Sequence, residues 1–111
     1  MNLHIVTVLL VLLLLIQNAG AGTYEKDVRP FLKNYCFSCH GPDKQKAKLR
    51  FDTLDPDMAK GSDAGMWQET LDLLNVGEMP PKEAEKQPTA KERRVIVDAL
   101  TASLREAMET Q

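Results

Sequence analysis

Aliphatic side chains are spread very unevenly along these 111 residues, and that imbalance limits what the chain can fold into. Ile5 to Ile16 (IVTVLLVLLLLI) is apolar apart from Thr7 and shows no amphipathic period, so every face of a helix built from it would be greasy. Such a helix reaches about 18 Å. The hydrocarbon layer of a bilayer is roughly 30 Å thick. An apolar run this short, followed by Ala19-Gly20-Ala21, fits an export signal cut after Ala21, although the leading MNLH carries no Lys or Arg. The chain is therefore divided into a signal peptide over 1–21 and one domain over 22–111, with an exported, periplasmic location expected. The alternatives are an uncleaved membrane anchor, helped by tilt or snorkelling, and a buried core helix.

Without that leader the remainder is short of grease. It holds one Trp, two Tyr and three Phe in a segment rich in charge. A domain of this size has a poor surface-to-volume ratio and usually needs a staple: disulfides, a metal or a prosthetic group. The net charge of −2, with acids and bases interleaved, excludes the basic footprint of a nucleic-acid binder.

The staple is indicated by five consecutive residues. Both cysteines of the chain, and its only histidine besides His4, fall in Cys36-Phe37-Ser38-Cys39-His40. CxxCH is the signature of covalent haem attachment. Two thiols three apart near a helix end can reach the two vinyl groups on one porphyrin edge, and the adjacent imidazole then projects beneath the iron. The competing readings each leave something over. Structural zinc needs four ligands, and no second Cys/His pair exists. A thioredoxin-like CxxC belongs in a βαβ context that the pattern lacks. A plain disulfide across so short a loop gains little chain entropy and gives His40 no task.

Three helical patterns surround the motif. Tyr24, Val28, Phe31, Leu32 and Tyr35 recur at helical spacing, with Pro30 placing the start near Asp27 or forcing a kink. A second helix runs from about Gly65 to Val76, with Trp67, Leu71 and Leu74 on one face, Ser62 or Asp63 as N-cap, and Gly77 and Pro80-Pro81 ending it. In the third, Thr89-Ala-Lys-Glu92 has the capping-box form. Val95, Ile96, Ala99, Leu100, Ser103, Leu104 and Ala107 follow as an inward stripe. Gly41 to Gly61 reads as loop, and strand signals are weak. The fold class is all-α, with about three helices around one haem.

The iron's sixth position follows by elimination. His4 leaves with the leader, and methionine is the usual remaining choice in electron-carrying c haems. Met66 and Met108 sit in helices and read more simply as packing residues. Met79, in Gly77-Glu78-Met79-Pro80-Pro81, sits in a loop stiffened by two prolines and is favoured. Met58, in a polar loop, is its rival, and an open or Lys-ligated site is the remaining alternative. Trp67 and Arg50 are candidate donors to haem propionates, against readings as a core side chain and a solvated charge. Lys44, Lys46, Lys48 and Arg50 form a basic stretch suited to steering an acidic redox partner, or simply a solvated loop.

From about Tyr24 to Leu104 the chain resembles the planctomycete-type cytochrome c domain, a branch of the class I cytochromes c. The resemblance is carried by DVRPFLKNYCFSCHGPDKQKAKLRFDTLD, WQETLDLLNVGEMPP and the capped final helix. It implies a small helical fold with N- and C-terminal helices packed together, Cys36 and Cys39 as thioether sites, His40 as proximal ligand and Met79 as distal ligand. Where family members often carry a Trp in the last helix, this chain has Ala99-Leu100, which suggests a looser contact. The expected function is electron transfer by Fe(II)/Fe(III) cycling and not enzymatic catalysis. The expected partners are a redox protein and the cytochrome c maturation machinery. A docking subunit of a larger oxidoreductase, or a haem sensor or enzyme with a labile sixth site, are the alternatives.

Overall fold

The computed structural model describes residues 2–16 and 23–110, with side chains outlined from 2–12 and 23–110. Among the described residues four α-helices are formed: α1 (Leu3–Ile16), α2 (Arg29–Tyr35), α3 (Ala64–Asn75) and α4 (Ala90–Glu109). There is no strand among the described residues, as an all-α fold requires; one isolated bridge joins His40 and Gln45. No helix among them is long and apolar enough to cross a membrane. The expected cut after Ala21 lies outside the described residues.

A π-helical turn, Tyr24–Val28, leads straight into α2. Pro30 falls in the first turn of α2, where its missing N–H would have had no intrahelical acceptor. Val28, Phe31 and Leu32, spaced three and four apart, point into the core.

Helix α3 buries Trp67, Thr70, Leu71 and Leu74. Its N-cap position is held by Asp63, but no side-chain cap forms there. The Asp63 carboxylate instead accepts the Asp55 N–H at 2.8 Å, spending the expected cap on the preceding loop. The C-terminus behaves as the glycine requires. Gly77, at φ +75°, donates to Leu74 O (3.3 Å), and Glu78 N–H donates to Leu73 O (3.0 Å), which is the Schellman pair.

Helix α4 carries the complete capping box. Glu92 N–H donates to Thr89 Oγ1 (3.1 Å) and Thr89 N–H to Glu92 Oε1 (3.0 Å). Ile96, Ala99, Leu100, Leu104 and Ala107 are buried as the stripe predicts. Val95 is not: it is 39% exposed, lining an open surface groove with Pro30, Phe31 and Asn34 of α2. At the positions where a Trp is often found, Leu100 is fully enclosed and Ala99 is buried. Helix α4 packs on α3 and on the π-turn, and Tyr35 Oη donates to Glu92 Oε2 at 2.7 Å, tying α2 to the start of α4.

The core joins Val28, Phe31, Leu32, Phe51, Met58, Trp67, Leu71, Leu74 and the α4 stripe. Each fully buried Leu or Ile in it contributes roughly 1.5–3 kcal/mol. Met58 lies in a loop of polar residues, as read from the sequence, yet its own side chain belongs to this core at 5% exposure. Its flanking residues are polar, but the Asp side chains are turned to backbone work. Asp55 Oδ1 accepts Asp57 N–H, and Asp57 Oδ1 accepts the N–H groups of Ala59 and Lys60, which leaves Met58 facing inward.

Candidate haem-attachment site

The cysteine motif begins where α2 ends. Cys36 N–H still donates to Leu32 O at 2.8 Å, and His40 N–H donates to Cys36 O at 2.8 Å, so Cys36 to His40 form a tight turn capping the helix. Gly41 closes it. A Cβ there would sit 2.2 Å from Phe37 O, an approach that only glycine permits.

The next ten residues fold back on the motif. Gly41 N–H donates to Lys44 O, Lys46 N–H to Cys39 O, and Phe51 N–H to His40 O, each at 2.8 Å. The loop therefore leaves His40 and returns to it. Ala47 and Lys48, both near φ +60°, make the reversal in the left-handed region. The loop's consequence for chemistry lies at His40, whose Nδ1 is 2.8 Å from Lys46 O. A carbonyl can only accept, so Nδ1 is the donor here, and in the neutral ring the lone pair is then on Nε2. Fixing the tautomer and ring plane through the far nitrogen is how metal-binding imidazoles are held. Phe51 packs edge-on against the ring, centroids 5.7 Å apart.

Cys36 and Cys39 are free thiols, each half-buried. Burial, with the neighbouring Cys39 second, pushes the Cys36 thiol up to about 12, so it is neutral at physiological pH. Among the described residues no group of three or more His, Cys, Asp or Glu side chains is placed to hold a bare metal ion, which the zinc reading would need. The donor set is that of haem c: two unpaired thiols and a histidine with Nε2 presented.

The other candidates are less closely assembled. Met79 is 38% exposed, beside the buried Pro80. Trp67 is fully buried and its Nε1–H donates to Asp55 O at 2.7 Å. Arg50 makes a two-pronged pair with Asp52, Nη2 to Oδ2 at 2.6 Å and Nε to Oδ1 at 3.1 Å, which holds the Asp52 carboxyl below the usual carboxylate range. Both donors proposed for propionates thus have acceptors within the protein. Lys44, Lys46 and Lys48 are exposed.

Two contributors went unmarked in the sequence. Lys46 acts through its backbone carbonyl, to which residue type gives no clue. Arg93, in the first turn of α4, donates from Nη1 to Leu74 O (3.1 Å) and to Met79 O (2.8 Å).

Residues 36–83 match the family described as Planctomycete cytochrome C. The match starts at the first cysteine and ends just past Pro81, so it is narrower than the resemblance read from the sequence, leaving α2 and α4 outside. No curated protein and no solved structure gives a match.

Proposed function

Residues 36–83 belong to the planctomycete cytochrome C family, and from that premise we propose that the chain is an exported mono-haem electron carrier. The observation that carries the reading is the setting of His40: it follows two unpaired thiols directly, and its ring is held through Nδ1 so that Nε2 is available. Haem c, when bound, supplies a one-electron Fe(II)/Fe(III) couple whose potential is set by axial donors and burial.

The chain's own residues have separable tasks. Cys36 and Cys39 attach the group covalently, and the turn Cys36–Gly41 sets their spacing. His40 gives the proximal nitrogen, oriented by Lys46 O and braced by Phe51. Met79 gives the distal sulfur. It is favoured over Met58 because Met58 is enclosed by the core while the Met79 side chain reaches solvent from a tethered backbone. Were His40 and Met79 both to hold the group, no position on it would be left for a substrate. The exposed Lys44, Lys46 and Lys48 suit an acidic redox partner.

The test is a pyridine haemochrome spectrum with intact mass, on protein matured alongside a cytochrome c maturation system. One haem per chain, joined by two thioethers, is the expected result. A colourless yet folded product would overturn the proposal.

A further inference from the structure

Arg93 sits where three parts of the fold meet. Its own Cα is fixed at the start of α4, whose first turn is locked by the Thr89–Glu92 capping box and by Tyr35. Its Nη1 donates to the carbonyl of Leu74, a core residue in the last turn of α3, and to the carbonyl of Met79. A cation against the carbonyl end of a helix is favourably placed with respect to the helix dipole. That accounts for the Leu74 contact. It does not account for the Met79 contact, which lies beyond the helix end.

The second bond has a specific consequence for Met79. The residue before it is pinned by Glu78 N–H to Leu73 O at 3.0 Å, Met79 itself by its carbonyl on Arg93, and the residue after it is a buried proline. The backbone is thus held on both sides of the Met79 Cα, and the side chain moves only about its own torsions. Ordering a backbone residue costs about 1–2 kcal/mol. Here the Glu78 and Arg93 hydrogen bonds and the buried Pro80 supply part of that ordering.

We infer that Arg93 is a positioning residue for the distal ligand: it ties the Met79 carbonyl to the end of α3 so that the Met79 sulfur is presented to the iron and returns to it after each excursion. This rests on the reading of Met79 as the distal ligand. It predicts that Arg93 governs how often the iron–sulfur bond opens, a quantity separate from fold stability.

The experiment uses the matured holoprotein and carbon monoxide, which binds ferrous iron only when the sulfur has left. Four variants are compared with the parent: R93M, which keeps the apolar stem and loses the donors; R93K; R94M, an exposed neighbour on the same helix; and M79A. The CO combination rate is read alongside the ferric iron–thioether charge-transfer band and, separately, the thermal unfolding midpoint. R93M should bind CO about tenfold faster than the parent, the factor expected from losing one hydrogen bond to a charged donor. R93K should fall between, and R94M should match the parent. A purely stabilising Arg93 would lower the unfolding midpoint in R93M and leave the CO rate at the parent value, which overturns the inference. If R93M does not mature, R93K is judged alone: faster than the parent supports the inference, equal to it overturns it. M79A separates the two levels. If it binds CO no faster than the parent, the ligand reading itself fails and the Arg93 inference with it. If M79A is fast and R93M is not, only the inference fails.

Discussion

His40 Nδ1 and the carbonyl oxygen of Lys46 lie 2.8 Å apart, across a loop whose other end is sealed by Phe51 N–H on His40 O. The histidine therefore opens the loop, closes it and is oriented by it. For Lys46 O to face the imidazole, the chain must turn sharply just afterwards, and it does so through Ala47 and Lys48 at φ 59° and 60°. Neither is a glycine.

That choice is measurable. A non-glycine residue in the left-handed region costs roughly 1–2 kcal/mol, while glycine costs about 0.5–1 kcal/mol more than alanine in lost chain freedom. Ala47→Gly should leave stability unchanged or raise it by about 0.5 kcal/mol, and Ala47→Val should lower it by more than about 1 kcal/mol because a β-branched side chain fits that region worst. Denaturant midpoints of the two variants check this. A valine variant as stable as the parent would mean that the loop is not held in this conformation in solution.

Gly41 is the other hinge of the same loop. An Ala Cβ would fall 2.2 Å from Phe37 O and 3.0 Å from Phe37 C, both backbone atoms that cannot swing aside. Gly41→Ala should destabilise by about 1–3 kcal/mol, the usual range for an overpacked site. Because the turn being forced carries His40, the yield of matured haem protein should fall as well. Unfolding midpoint and haem-to-protein ratio together measure both effects, and no loss in either would show that the turn opens at little cost.

The parts of this fold that local rules govern could be read from the chain. Thr89 and Glu92 cap α4 because a capping box needs only residues three apart, and Gly77 ends α3 because a Schellman turn needs one left-handed position. The Cys36–His40 motif is legible for the same reason. Long-range or backbone-mediated features are not. Arg93 reaches carbonyls 14 and 19 positions away, and carbonyls carry no residue identity. Met58 is buried although its neighbours are polar, because Asp55 and Asp57 turn their carboxylates onto backbone N–H groups. Asp63 occupies the N-cap position, yet its carboxylate accepts the Asp55 N–H and makes no cap bond, a long-range claim that the local pattern does not reveal.

Glu92 makes stability depend on pH in acid. The Thr89 N–H and then the Tyr35 hydroxyl hold its carboxyl below the usual carboxylate range. A carboxyl with a depressed folded pKa contributes stability that is present above its unfolded value and is lost as pH falls through the folded one. Tyr35, whose bond to Glu92 raises its phenol above the ordinary value, contributes in the opposite sense: its share is present below the unfolded value and is lost in strong alkali. Glu92→Gln should therefore be less stable than the parent at neutral pH, and the difference should shrink between about pH 5 and pH 2. Urea unfolding of both proteins across that window checks it. Parallel curves would mean that Glu92 carries no such charge-dependent bond.

Trp67 offers a test that separates two uses of one N–H. The ring is fully buried, with Tyr24 edge-on at 6.0 Å and Phe51 tilted at 6.4 Å, and Nε1–H donates to Asp55 O at 2.7 Å. Trp67→Phe removes that donor, leaves Asp55 O unsatisfied and opens a small cavity, so stability should fall by about 2–4 kcal/mol. If the N–H is committed to Asp55, the midpoint potential of the haem protein and its pH dependence should stay close to the parent's, because no charge near the iron has changed. Were the indole instead turned to a propionate, the same substitution would release that carboxylate, moving the potential and its pH profile while costing little in folding. Chemical denaturation and a potentiometric titration of the one variant therefore read the two roles independently, and a large shift in potential with unchanged stability would move Trp67 from the core to the haem edge.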